Sequence, residues 1–255
     1  MRSSCLRDLS VALVLLVSGA YSALTYAHAI TAVTEELPPY NMTIDGKLTG
    51  MGTEVVEAVL EELGETARIQ SMPWARAYDI ALNTENVLIY SIARTPQREA
   101  LFKWVGVIAP TRWYLFSLPG MHFNLKSLED AKQYQIATVK EDVGEQYLIS
   151  NGFAVGRNLQ SSNKYEHNYQ KLKAGRVDLW ISNELNAHYL VRQGSGNPNE
   201  AAVPQLSLDD LGGTNGLCLA FSRKTSDERV EQFRQALARV RADGRYDAIA
   251  AKWLK

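Results

Sequence analysis

From residue 30 onward, short apolar runs of strand character alternate with helix-periodic segments. This constrains the fold more than any other feature, because it points to α/β units and a largely parallel sheet. Thr53 to Leu63 places Val55, Val56, Val59, Leu60 and Leu63 on one helical face, and Gly64 stands where that helix should end. Strand character follows at Thr66 to Gln70 and Val87 to Tyr90, with a helix from Ala75 to Leu82 between them. A second set begins after Ala109-Pro110: strand Trp113 to Ser117, helix Leu125 to Ala131, strand Gln135 to Val139, and helices Gly144 to Ser150 and Tyr165 to Lys173. Strand Val177 to Ser182 and helix Glu184 to Arg192 complete it. Gly194 to Asn199 and Gly212 to Gly216 read as loops. A strand from Leu217 to Phe221 then precedes two terminal helices, with Val230, Phe233, Leu237 and Val240 on one face of the first and Tyr246, Ile249, Ala250 and Trp253 on one face of the second.

Before this domain material, Arg2 and Arg7 precede an apolar stretch from Leu9 to Ala20, and Ala27-His28-Ala29 has the small-x-small spacing of a signal-peptidase site. Cleavage after Ala29 and a periplasmic location are expected, although Asp8 is an unusual residue in such a leader. The apolar stretch falls short of the roughly 20 residues that span a bilayer, and no cysteine at the cleavage region suggests a lipid anchor. The chain has 27 Lys and Arg against 28 Asp and Glu, a balance that gives no reason to expect nucleic acid or an anionic membrane as partner. With Cys5 in the leader, no intramolecular disulfide is expected, and Cys218, inside Leu217 to Phe221, reads as core. There is no P-loop, GxSxG elbow or HExxH helix. Glu184 and His188 share a helix face, but no further metal ligands accompany them, so neither metal nor cofactor is expected.

The chemistry concentrates in Val87 to Glu99, where an apolar strand ends in Ser91, Arg94 and Arg98. A strand end presents a hydroxyl and backbone amides, and a guanidinium adds a planar fork that fits a carboxylate. Arg94 is placed to pair with Glu99. Trp74 and Tyr78 lie where a strand turns into a helix, a rim position at which an aromatic ring can line a cleft; Tyr40, after Pro38-Pro39 and the acids Glu35 and Glu36, follows the same logic.

Pro38-Pro39-Tyr40, Gly50-Met51-Gly52-Thr53-Glu54-Val55, the Ser91 to Arg98 run, Ala174-Gly175-Arg176-Val177-Asp178 and the ending Arg241 to Trp253 occur in an order and spacing that resemble the family 3 extracellular solute-binding proteins. That resemblance covers nearly all of the chain after the leader. It implies a type II periplasmic-binding-protein fold of two lobes, each a mainly parallel sheet flanked by helices, joined by two crossover hinge strands. Lobe I would comprise residues 30–110 and 214–255, and lobe II, inserted between them, residues 111–213. It further implies a monomer that captures a small polar solute, an amino acid or related carboxylate or amine, by hinge closure for an ABC permease. In the family pattern Arg98 pairs with the ligand carboxylate, supported by the Ser91 hydroxyl and the Ala93 amide.

Two departures bear on specificity. The family's Gly-Thr-Thr type turn is Lys140-Glu141-Asp142-Val143 here, and the aspartate that usually accepts the α-ammonium is Asn183, followed by Glu184. The expected ligand-binding set is thus Arg98, Ser91, Ala93, Trp74, Tyr40, Glu36, Asp142, Val143, Asn183 and Glu184. Two alternatives stand beside transport: a cyclohexadienyl-dehydratase-like enzyme on the same scaffold, and a sensory protein presenting its ligand to a membrane receptor.

Overall fold

The computed structural model of the protein describes residues 30–195, 202–211 and 216–254. The leader and parts of both glycine-containing loops lie outside the described residues. Strands β1 (Ile30–Thr34), β4 (Ala67–Ser71), β5 (Val87–Ala93), β6 (Phe102–Pro110) and β12 (Gly216–Ser222) form one sheet in the order β4-β1-β5-β12-β6. Strands β7 (Trp113–Ser117), β8 (Ile136–Val139), β9 (Leu159–Ser162), β10 (Leu179–Asn183) and β11 (Val203–Ser207) form a second, in the order β11-β7-β10-β8-β9. Strands β2 (Met42–Ile44) and β3 (Lys47–Thr49) make a small hairpin.

Both sheets are mixed rather than mainly parallel. β1 runs parallel to β4 and β5, and β8 runs parallel to β9 and β10, as crossover helices demand. β12 is antiparallel to β5 and β6, and β7 is antiparallel to β10 and β11. The reversed strands are those next to the passages between sheets, where the chain arrives without a covering helix. It leaves the first sheet after Pro110 and returns to it at Gly216.

Helix α1 (Met51–Leu63) buries the expected face, Val55, Val56, Val59 and Leu60, and Gly64 ends it in the left-handed conformation at φ 65°. It packs with α6 (Asp227–Ala242) and α7 (Arg245–Trp253), and its core includes Leu88, Phe221, Phe233 and Leu237. Helix α2 (Trp74–Asn83) covers the other face of the same sheet. In the second lobe, α3 (Val143–Ser150), α4 (Tyr165–Lys173) and α5 (Glu184–Ser195) flank the sheet, and Trp180, fully buried, stacks between Phe116 and Tyr169 at 6.0 and 5.7 Å. The expected helix at Leu125 to Ala131 is instead a short 3-10 turn at Glu129–Gln133, because the Asp130 carboxylate folds back onto the amides of Lys126 and Ser127.

The first amides of α1 are satisfied by the preceding turn rather than by a side chain: Met51 N donates to Pro39 O at 3.1 Å and Gly52 N to Tyr40 O at 2.8 Å. This close approach is why Gly50, at φ 117° and ψ 167°, must be glycine; a Cβ there would lie 2.5 Å from Tyr40 O and 2.7 Å from Pro39 O. Gly50→Ala should therefore cost about 1 to 3 kcal/mol, read as a lower urea midpoint. An unchanged midpoint would mean that the turn relaxes freely.

Candidate functional site

β5 alternates cleanly from Val87 to Tyr90, sending Val87 and Ile89 to one face and Leu88 and Tyr90 to the other. At Ser91 the ladder with β12 slips, since Ile92 faces Cys218 and Tyr90 faces Leu219. Ser91 sits in this bulge at φ 59°. Its hydroxyl donates to Asn41 Oδ1, and the bulge turns the following segment so that the Arg98 side chain reaches back over the strand end.

Across from it, the turn between β8 and α3 carries a second non-glycine residue at positive φ, Glu141 at 60°. That conformation points its carbonyl toward the first lobe, where it accepts from Trp74 Nε1 at 2.8 Å and from Arg98 Nη2 at 3.5 Å. Of the four non-glycine residues at positive φ among the described residues, Asp45 and Asn86 are of the types that tolerate this conformation, whereas Ser91 and Glu141 lie where the two lobes meet. Asp142 follows as the N-cap of α3, accepting from Glu145 N at 2.7 Å.

The guanidinium of Arg98, 1% exposed, packs against the adjacent rings of Trp74 and Tyr78, 5.2 and 5.0 Å from their centroids. It donates to Gln146 Oε1 at 3.1 Å and Ala93 O at 3.3 Å as well as to Glu141 O. Among the described residues no carboxylate lies within ion-pair distance of it. Facing it are two buried acids, Glu35 at the end of β1 and Asp142, joined by the Tyr165 hydroxyl, which is 3.1 Å from Asp142 Oδ2 and 3.4 Å from Glu35 Oε1. Burial first, and Asp142 second, hold the Glu35 carboxyl well above the usual carboxylate range. Burial likewise pushes Asp142 up to about 7, against the opposing pull of the Glu145 amide, Tyr165 and Arg98. Leu37, Ser91, Ala93, Trp113, Val143 and Leu217 complete the wall. The enclosed space is about 10 Å³, room for about one water, so a larger solute enters only when the lobes part. Trp113 Nε1 is buried without an acceptor among the described residues.

Of the expected set, Arg98, Ser91, Ala93, Trp74, Asp142 and Val143 share this cavity. Four do not. Glu36 faces solvent, its carboxylate held by Thr43 and Ser71; the chain turns after β1 so that Glu35 points inward instead. Tyr40 is core: fully buried, it donates to Pro110 O at 2.9 Å, tying the turn to the strand that leaves the sheet. Asn183 caps α5, its Oδ1 accepting from Asn186 N at 2.9 Å, because a strand that runs straight into a helix uses its last residue as the cap. Glu184 pairs with Arg112 at 2.9 Å in a separate groove. Glu35 and Tyr165 are the residues missed. Tyr165 opens a helix directly after β9, a strand with no apolar run to announce it.

The pattern of known bacterial extracellular solute-binding proteins, family 3, matches residues 30–255. The L-cystine-binding protein TcyJ of Escherichia coli K12 is 22% identical over 221 residues, covering 85% of this chain and 78% of that protein. A probable amino-acid ABC transporter-binding protein of Haemophilus influenzae is 25% identical over 218 residues, 82% of this chain and 77% of that one. In three dimensions, a histidine kinase sensor domain with similarity to periplasmic binding proteins superposes with a TM-score of 0.77 at 20% identity, covering 89% of this chain and 96% of that one. With the match running through both sheets and every wall of the cavity between them, the chain belongs to the family 3 bacterial extracellular solute-binding proteins.

Proposed function

We propose that this protein captures a small polar solute carrying both a carboxylate and a cationic group, and hands it to an ABC permease. The observation that carries this reading is the convergence of both lobes on one enclosed cavity. Trp74 and Arg98 from the first lobe bond to Glu141 and Gln146 of the second; Tyr165 of the second contacts Glu35 of the first; and Asn186 donates to Pro38 O at 2.8 Å. These contacts can form only when the lobes close, so closure and recognition are one event. Arg98, with three of its five N–H groups spent on the protein, and the Trp113 indole N–H supply donors for a ligand carboxylate. The names of the relatives, an L-cystine-binding protein and a probable amino-acid ABC transporter-binding protein, support amino acids or their analogues as the solute class.

On this reading residues 30–110 and 214–255 move as one lobe against 111–213, the protein works as a monomer, and no reaction follows binding. A thermal-shift screen of amino acids, amines, opines and small carboxylates tests it, because a ligand bound only by the native state raises the melting temperature. A hit that is recovered unchanged supports binding over turnover; conversion of prephenate or arogenate would establish the dehydratase alternative.

Export is part of the same proposal and rests on the basic leader and Ala27-His28-Ala29. Mass spectrometry of the exported protein should find Ile30 at the N-terminus, and a retained leader would refute the cleavage.

A further inference from the structure

Resting on the solute-binding reading above, we infer that the Glu35–Tyr165–Asp142 cluster selects solutes of net positive charge, and that such a solute and a proton compete for the closed cleft. The cavity wall contributes one cation, Arg98, and two acids, and none of the three has an ion-pair partner within the protein among the described residues. One carboxylate on the ligand answers Arg98. Two carboxylates on the protein then remain, and charge balance in a buried site calls for more cationic than anionic groups on the solute. Asn183, neutral and with its Oδ1 engaged at the cap of α5, offers no competing anchor for an ammonium.

The hydrogen-bond geometry shows what stands in for that cation when the cleft closes alone. A phenol has one proton to give. If Tyr165 gives it to the nearer Asp142 oxygen, its 3.4 Å contact with Glu35 is a hydrogen bond only when Glu35 itself is protonated and donates to the phenol oxygen. The charged and titratable groups facing the pair are Arg98 after β5, Tyr165 on α4, Glu145 on α3 and Glu36 beside Glu35. Arg98 favours ionisation of both acids, whereas Glu36 opposes it at Glu35 and Glu145 opposes it at Asp142. Burial prevails at both acids, aided by Asp142 at Glu35 and by Glu145 at Asp142, so the closed cleft without a solute retains a proton. An ammonium or guanidinium placed between the two carboxylates releases it.

Calorimetry at pH 8.0 with arginine, ornithine, putrescine, glutamine, leucine, glutamate and succinate tests the charge assignment. The cationic compounds should include the tightest binder, by at least tenfold over glutamine and leucine, with glutamate and succinate silent. Affinity for that cation should fall at least tenfold at pH 5.5, and titrations in two buffers of different ionisation enthalpy at neutral pH should show net proton release. Asp142→Asn retains an N-cap oxygen for α3; it should weaken the cation at least tenfold and narrow its lead over glutamine, and Glu35→Gln should do the same. Tightest binding by a neutral or anionic compound would overturn the selectivity while leaving solute binding intact. Cation binding without proton release, or indifferent to both substitutions, would overturn it too. Failure of every compound here and in the broader screen to bind folded protein would instead overturn the solute-binding reading itself.

Discussion

Replacing Arg98 by alanine should weaken a carboxylate-bearing solute by about 2 to 5 kcal/mol, the range for removing one member of a desolvated charge pair. Two losses combine. The ligand carboxylate loses its cation, and the closed state loses a clasp, because the guanidinium bonds across the lobes to Gln146 and Glu141 while packing against Trp74 and Tyr78. Arg98→Lys should recover only part of the affinity, since an ammonium lacks the planar fork that packs against the two rings while donating to both lobes. Calorimetry with the solute found by screening gives the number, and circular dichroism shows whether the variant is folded. A folded Arg98→Ala protein with unchanged affinity would remove this residue from the site.

Most elements were legible because they carry their own pattern, whereas the two-lobe arrangement followed only from the family resemblance. The α1 face, the Gly64 stop, and the strand and helix at 113–117 and 165–173 emerge where periodicity places them, because burial on one side is imposed locally. β9 and β11 were not legible: with polar sequences such as Leu159-Gln160-Ser161-Ser162, they are strands only because a neighbour offers an edge. At the site, position at a strand end placed Arg98 and Ser91 at the cavity, and the family pattern placed Asp142 there. The same two signals put Glu36, Tyr40, Asn183 and Glu184 there as well, where the structure does not. Whether a residue at a strand end looks into the cleft or away from it depends on one backbone rotation, and tertiary contacts fix that: Thr43 and Ser71 hold Glu36 outside, and the start of α5 claims Asn183. Arg94 needed no such context, because its partner Glu99 is five residues away, and the pair forms with Nη2 to Oε1 at 2.5 Å.

Stability without a solute should rise on acidification from pH 8 toward pH 5, the reverse of what ion-paired carboxylates produce. The sign follows from where the protons sit. Glu35 and Asp142 have folded pKa values above their ordinary ones, with Asp142 moving from 3.8 to about 7, so across this window the closed native state holds protons that the unfolded chain has released. Stability therefore falls as pH rises, by up to about 1.4 kcal/mol per pH unit for each proton retained. For Asp142 alone the full effect is on the order of 4 kcal/mol, and this is an upper bound because opening the cleft rehydrates the carboxylates without unfolding the lobes. The carboxylates with lowered values, such as Glu62, Glu99 and Asp243, are ion-paired at the surface, and they lose stabilisation only at pH below their ordinary pKa, outside this window. Melting temperatures at pH 5.0, 6.5 and 8.0 for the native protein, Asp142→Asn and Glu35→Gln isolate the pair, since every other titrating group is common to all three. Each substitution should flatten the native profile and raise stability at pH 8.0, where the buried charge is costliest. A variant profile parallel to the native one would show that these acids titrate in water, and that the cleft of the solute-free protein stands open in solution.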